Sequence, residues 1–278
     1  MKKLFSLLAV LTAVALCGSE IDLSSLSPSD TAVAGKLDIA VLLQMPQVRQ
    51  FLPPHSAAAA IRYDDVEKVF CGSDARLKRG FMICKFRNAA AWQRLWRTLD
   101  GRLTPLPAER RILLFEVKNS VRPPAKVYFA VLAPLVAGFY YEPSGKGDFR
   151  CDYSGAPAAV RKYYHAAMPF VLGGRVKKAP PPLSGVRSFY FAPGRDRDGM
   201  AAICGNVVCS EPLAASLTIV ALQGTISVYL QEFLKLTPEQ TADALSRIKM
   251  YQSGKKIRIE FSDFSYLTKL WQRMAVRR

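Results

Sequence analysis

The segment that begins at residue 173, GGRVKKAPPPLSG, constrains the fold of this chain more than any other feature. Two glycines followed by three consecutive prolines cannot continue a helix or a central strand. We therefore predict a Gly/Pro/Lys linker at residues 173–186 that separates an N-terminal unit (residues 32–172) from a C-terminal unit (residues 187–278). The Ser-rich residues 19–31 predict a flexible leader ahead of both units.

The first 18 residues have the pattern of a secretory signal peptide. Lys2 and Lys3 precede an apolar stretch of about 13 residues, which is shorter than the roughly 20 that span a bilayer. Small residues around Cys17 offer cleavage sites. Cys17 itself has two open interpretations: it is removed with the signal, or it is lipidated as in bacterial lipoproteins, although Leu16 departs from the small residue expected there. The sequence thus predicts an exported protein, periplasmic or associated with the cell envelope, with lipoprotein as the alternative, and no transmembrane helix in the mature chain.

Export changes how the remaining cysteines are interpreted, because disulfides persist in oxidising compartments. Cys71 and Cys84 flank a polar turn between two apolar runs, and Cys204 and Cys209 flank a Gly-Asn turn signal. Both pairs are candidate cross-strand disulfides, with Cys151 left over. Reduced, buried thiols are the alternative. The chain has only two histidines, so we expect no metal site.

Composition and periodicity predict an ordered α+β protein. Half of the residues are hydrophobic and a tenth are aromatic, unlike a disordered chain. In the N-terminal unit, apolar runs predict a strand at 34–38, a broken helix at 39–52, a hairpin from 66–71 and 81–86, strands at 112–117, 127–133 and 135–141, and a helix at 156–168. A helix capped by Asn88 presents one apolar face made of Trp92, Leu95, Trp96 and Leu99.

The C-terminal unit shows similar patterns. Ile226, Val228 and Leu230 alternate with polar residues, which favours a half-buried strand. Thr237 begins a capping box with proline at the first helical position. Further strand and helix patterns follow at 257–261 and 267–274. The segments 66–99 and 217–250 therefore predict a duplicated strand–hairpin–strand–helix pattern, that is, two related units of antiparallel sheet with helices packed on one face.

Basic residues outnumber acidic ones, and the formal net charge is +17. Outside the cytosol, the abundant anionic partners are membrane head groups and envelope polymers, so we expect no nucleic acid. The candidate anion-binding residues lie in a hairpin tip and a final helix: Arg76, Lys78, Arg79, Lys269, Arg273 and Arg277. The linker adds Arg175, Lys177 and Lys178. A basic surface that is merely solvated is the other open interpretation, and a protein partner is also compatible with the sequence.

Motifs for catalysis are weak throughout the chain. No G-x-S-x-G elbow is present, and the Ser253–Lys256 match to S-x-x-K precedes a strand and not a helix. The Gly-Lys-Gly of residues 145–147 lacks phosphate-loop spacing. The acidic pairs Asp64 with Asp65 and Asp196 with Asp198 lie in polar loops among arginines. We therefore predict a non-catalytic binding or structural module without cofactors, with a basic face for anionic envelope components. The alternative is an envelope hydrolase whose carboxylates are brought together by the fold.

Overall fold

The computed structural model describes residues 21–44, 62–107, 112–118, 124–144, 155–177, 179, 181, 183–232, 235–263 and 266. The chain divides into two compact units: residues 1–43 with 55–165, and residues 44–54 with 166–278. We refer to them as unit 1 and unit 2 and describe each by itself. The predicted mixed α and β composition with antiparallel sheet is confirmed.

Within its described residues, unit 1 has seven antiparallel strands in the order β1-β2-β3-β7-β6-β5-β4. The strands are β1 (Thr31–Asp38), β2 (Val66–Asp74), β3 (Gly80–Phe86), β4 (Leu103–Pro105), β5 (Leu113–Val117), β6 (Lys126–Ala133) and β7 (Val136–Glu142). The helices are α1 (Ile39–Leu42), α2 (Ala89–Leu99) and α3 (Ala158–Tyr164), with short 3-10 turns at Leu23–Leu26 and Tyr63–Asp65. The predicted hairpin is β2 and β3.

Both faces of the unit 1 sheet are covered, which corrects the expectation of helices on one face. Side chains alternate along the strands, so Phe70 and Ile83 pack against one side and Val69 and Cys84 against the other. Helix α3 covers the first side. Helix α2 covers the second, with Asn88 accepting the Ala91 N–H at its start, as predicted, and with the expected apolar face of Trp92, Leu95 and Leu99 buried.

In the part of unit 2 that the structure describes, five antiparallel strands run in the order β11-β12-β10-β9-β8. They are β8 (Phe170–Arg175), β9 (Val186–Arg195), β10 (Ala201–Cys209), β11 (Ile248–Ser253) and β12 (Lys256–Phe261). Two helices complete the described part: α4 (Pro212–Glu232) and α5 (Pro238–Ser246). The predicted capping box at Thr237 is confirmed, since its hydroxyl accepts the Gln240 N–H while the Gln240 side chain accepts the Thr237 N–H.

The structure departs from the predicted organisation of unit 2 in three places. Ile226, Val228 and Leu230 lie in helix α4 and not in a strand. The proposed duplication is not confirmed, because segment 217–250 holds two helices where the repeat requires a hairpin. Strand β8 continues through the first three residues of the predicted linker, Gly173 to Arg175, and pairs with β9. The predicted helix at 267–274 lies outside the described residues.

Candidate functional sites

The cysteines of the β2–β3 hairpin are free thiols, which corrects the predicted disulfide. The register places Cys71 opposite Met82 and Cys84 opposite Val69. The two cysteines are thus diagonal neighbours and not a directly opposed pair, because the turn is centred between Arg76 and Leu77. Burial raises the pKa of the Cys84 thiol to about 12, so this thiol stays protonated at neutral pH.

Cys204 and Cys209 cannot form the second predicted disulfide, because both belong to strand β10. Five residues of extended chain separate their Cα atoms by about 16 Å, whereas a disulfide needs less than about 7 Å. The Gly205-Asn206 pair is not a turn here. Gly205 lies within the strand, and the Phe191 ring occupies the space that a Cβ atom would need. Cys17 and Cys151 lie outside the described residues.

The hairpin-tip cations Arg76, Lys78 and Arg79 lie together, as the sequence predicted, at the rim of an open groove of 870 Å³. The β2–β3 turn forms one wall of this groove, and the end of β7 with the following turn forms the other. Arg79 is ion-paired with Asp30. Arg76 and Lys78 have exposed side chains and no ion-pair partner in the part of the chain that the structure describes.

The other predicted cations are only partly described. Lys269, Arg273 and Arg277 of the predicted final helix, like Lys178 of the linker, lie outside the described residues. Arg175 and Lys177 are exposed in unit 2. The positive face that was expected from two of these clusters therefore remains a prediction.

The buried carboxylates are held by basic or backbone groups. Asp65 accepts a 2.9 Å hydrogen bond from Nε of Arg94 and a 3.1 Å bond from the Arg62 N–H. The Arg94 guanidinium keeps the pKa of Asp65 below its ordinary value. Hydrogen bonds from Ser262 and from backbone N–H groups likewise lower the pKa of Asp196. A general acid needs a raised pKa, so neither group suits that role.

Metal-ligating side chains do not gather in the described ranges: no group of three or more His, Cys, Asp or Glu residues there could hold a metal ion. Glu260 is almost fully buried in β12, and Nε of Arg258 donates a hydrogen bond to its carboxylate. The exposed Arg258 side chain thus provides a charged partner for a carboxylate that lies inside unit 2.

Helix α4 is a surface feature that was not predicted from the sequence. It is 21 residues long, and its one charged residue is Glu232 at the last position. Leu213, Leu217, Val220 and Val228 are 64%, 60%, 67% and 52% exposed. Their spacing places them on one side of the helix, and Gly224, between Val220 and Val228, faces open space. We call these four side chains the apolar stripe.

The side of α4 that faces away from the stripe is fixed to unit 2. Ala215 and Thr218 are buried near the start of the helix and Leu230 near its end, where it packs with Leu236 and Ala244. Among the described residues, α4 is the one helix that is long and apolar enough to cross a membrane by length and composition. Only a small part of it is buried within the protein.

Two lysines lie next to the beginning of α4. Lys255 and Lys256 are exposed at the β11–β12 turn. The amide of Gln252, just before this turn, donates to the Pro212 carbonyl at 2.9 Å and accepts from the Ser216 hydroxyl at 2.9 Å. The Cys209 N–H donates to the Lys255 carbonyl at 2.9 Å. These bonds hold the basic turn beside the first helical turn, so positive charge borders one end of an apolar surface.

Among solved structures, the chain is similar to TP0453. Crystal form I gives a TM-score of 0.47 and 12% identity over 93% of this chain and 100% of that chain. Crystal form III gives a TM-score of 0.47 and 11% identity over 93% of this chain and 99% of that chain. Crystal form IV gives a TM-score of 0.46 and 12% identity over 92% of this chain and 100% of that chain. No protein-family model and no curated protein matches the chain. These values carry no inference about what the chain does.

Proposed function

We propose that this chain is a non-catalytic binding protein of the cell envelope that attaches to an anionic lipid surface through helix α4. The observation that supports this proposal best is the apolar stripe, on a helix without a charged residue before its last position. Contiguous exposed apolar surface marks a protein or membrane interaction site. Lys255 and Lys256 favour an anionic lipid surface as the occupant, since head groups of that charge complement the basic turn.

Approximate free energies indicate whether apolar contact or lysine charge contributes more to membrane affinity. Fully burying a Leu or Val side chain contributes about 1.5–3 kcal/mol, and the stripe residues still expose half or more of their surface. Four such residues therefore contribute on the order of 4–7 kcal/mol. Each lysine near an anionic membrane contributes about 1 kcal/mol. Apolar contact thus supplies most of the affinity, and the lysines supply the preference for negative charge.

The proposed arrangement has α4 lying in the plane of the membrane interface. A 21-residue helix is about 31 Å long, close to the thickness of a bilayer core. Spanning the core would require Ala215, Thr218 and Leu230 to leave their buried positions in unit 2. Binding parallel to the surface keeps those contacts and buries the stripe at the boundary between head groups and acyl chains.

Liposome flotation tests this proposal. The native protein is expected to float with anionic vesicles and less with neutral ones, and the difference should shrink as salt screens the lysines. A Leu217→Ser/Val220→Ser variant should lose most of its binding to both anionic and neutral vesicles. The matched control is Met200→Ser, which removes an equally exposed apolar side chain outside the helix.

Two results would contradict the proposal. One is unchanged flotation of the Leu217→Ser/Val220→Ser variant. The other is a native protein that forms dimers in solution, ignores vesicles, and becomes monomeric in that variant, because the stripe would then be covered by a second copy of the chain. Light scattering after size-exclusion chromatography separates these states.

A further inference from the structure

We infer that the groove at the β2–β3 turn of unit 1 binds a small amphiphile with an oxyanion group, a phosphate or a carboxylate. The groove belongs to a different unit from helix α4, so this inference goes beyond the proposed function. Its walls are two neighbouring segments: Asp74 to Arg79 of the turn and Tyr141 to Ser144 at the end of β7. The pairing of Gly80 with Tyr141 fixes the distance between them.

The charges of the groove leave two cations available to a ligand. The carboxylates on its walls are already engaged: Asp74 accepts the Lys78 N–H at 2.8 Å, and Glu142 accepts the Ser144 hydroxyl at 2.7 Å. Arg79 is paired with Asp30, which is not part of the groove lining, and its Nε lies 3.9 Å from a carboxylate oxygen of Asp74. Arg76 and Lys78 have no such partner among the described residues. An arginine fork beside a lysine suits the oxygen atoms of a phosphate or carboxylate.

The apolar part of the groove comes from two large side chains that remain half-exposed. Leu77 and Tyr141 lie on its opposite walls. Leu77 has a φ of 56°, in the left-handed region where glycine or asparagine is normally found. A leucine at such a turn position is costly for the fold. Because its side chain faces the groove and is not buried in the core, contact with a ligand is the use that the geometry offers.

The volume of the groove and its open side limit the size of the ligand. A groove of 870 Å³ lies within the range of small-molecule sites. It is open on one side, so a ligand can place its charged group at Arg76 and Lys78 and its apolar body between Leu77 and Tyr141. The same chemistry is found in a free alkyl phosphate and in the head group of an anionic lipid.

The test uses hexyl phosphate at concentrations below micelle formation, measured by calorimetry on the full chain. Hexyl phosphate should bind at least tenfold more tightly than inorganic phosphate or hexanol. The Arg76→Gln/Lys78→Gln variant should lose at least tenfold in affinity. An Arg102→Gln/Lys118→Gln variant, which removes the same charge from exposed positions of unit 1 outside the groove lining, should bind like the native protein.

A second variant separates binding from folding. Leu77→Gly relieves the left-handed backbone position and is therefore expected to fold at least as stably, yet it should bind hexyl phosphate several-fold more weakly. Equal affinity for inorganic and hexyl phosphate, or unchanged affinity in both groove variants, would overturn the inference. Vesicles with phosphatidic acid form a further arm, measured in the Leu217→Ser/Val220→Ser background so that helix α4 does not contribute. Residual vesicle binding that is lost in Arg76→Gln/Lys78→Gln assigns the groove to a lipid head group. Hexyl phosphate binding without such vesicle binding assigns it to a free amphiphile.

Discussion

The Cys209 thiol donates a hydrogen bond to the Thr218 hydroxyl across 3.6 Å, which ties strand β10 to helix α4. The Thr218 hydroxyl in turn donates to the Ala214 carbonyl at 2.7 Å, one turn earlier in the helix. Both residues are buried. This contact lies on the side of α4 that faces away from the apolar stripe, so it determines which side chains remain outside.

Substitutions at Thr218 test this attachment. Thr218→Val keeps the shape of the side chain and should lower the free energy of unfolding by about 1 kcal/mol or less. Thr218→Asp places an unpaired charge between strand β10 and helix α4 and should lower the free energy of unfolding by several kcal/mol. Urea unfolding followed by circular dichroism measures both. If the aspartate is tolerated as well as the valine, helix α4 is not held to β10 at this point.

The ion pair between the buried Asp65 carboxylate and the partly exposed Arg94 guanidinium predicts sensitivity to acid. The hydrogen bond from Arg94 keeps the pKa of Asp65 below its ordinary value of 3.8 in the folded state. A carboxyl group with a lowered pKa stabilises the fold above its unfolded pKa, and this stabilisation disappears as the pH falls through the folded value. The native protein should therefore lose stability below about pH 4.

The Asp65→Asn variant isolates this contribution. It should be less stable than the native protein at pH 7 and should lose less additional stability between pH 5 and pH 3, as judged by urea midpoints. Asp30→Asn is the control, because the Asp30–Arg79 pair is exposed and such pairs contribute little. An identical acid response in the native protein and Asp65→Asn would show that another group is responsible.

The thiols of unit 1 and unit 2 should differ in reactivity. Burial raises the pKa of Cys84 to about 12 and its side chain is shielded, so iodoacetamide at pH 8 should modify it only after unfolding. Cys204 is partly exposed and should be modified earlier in the native protein. Mass spectrometry of the alkylated peptides gives the order. Rapid native labelling of Cys84 would contradict the packing of the hairpin against α2.

The sequence predicted much of unit 1 because its signals are local. Strand alternation, the Asn88 cap and the spacing of Trp92, Leu95 and Leu99 each agree with a single structure. Helix α4 was missed for a physical reason. Its residues are apolar on nearly every side, so three alternating positions at Ile226, Val228 and Leu230 fit a strand as well as a helix.

The site residues were predictable to a smaller extent. The cluster of Arg76, Lys78 and Arg79 follows from the position of a turn, which sequence indicates well. The groove beside it depends on the pairing of β3 with β7, two strands separated by about 50 residues, and no local pattern specifies that pairing. The failure of the Cys204–Cys209 prediction has a similar cause, since Gly205 serves the packing of Phe191 from another strand.

Membrane-depth fluorescence quenching shows whether helix α4 enters the lipid surface. Tryptophan is introduced at Val220 in the apolar stripe, or at Asn206 on an exposed strand position as the control, and each variant is mixed with anionic vesicles whose acyl chains carry bromine. If the apolar stripe is buried in the membrane, emission of the Val220→Trp variant, after subtraction of the native signal, should shift to shorter wavelength and be quenched. Emission of the Asn206→Trp variant should show neither change. Equal and negligible quenching of both variants, under conditions in which the protein floats with the vesicles, would contradict attachment through helix α4.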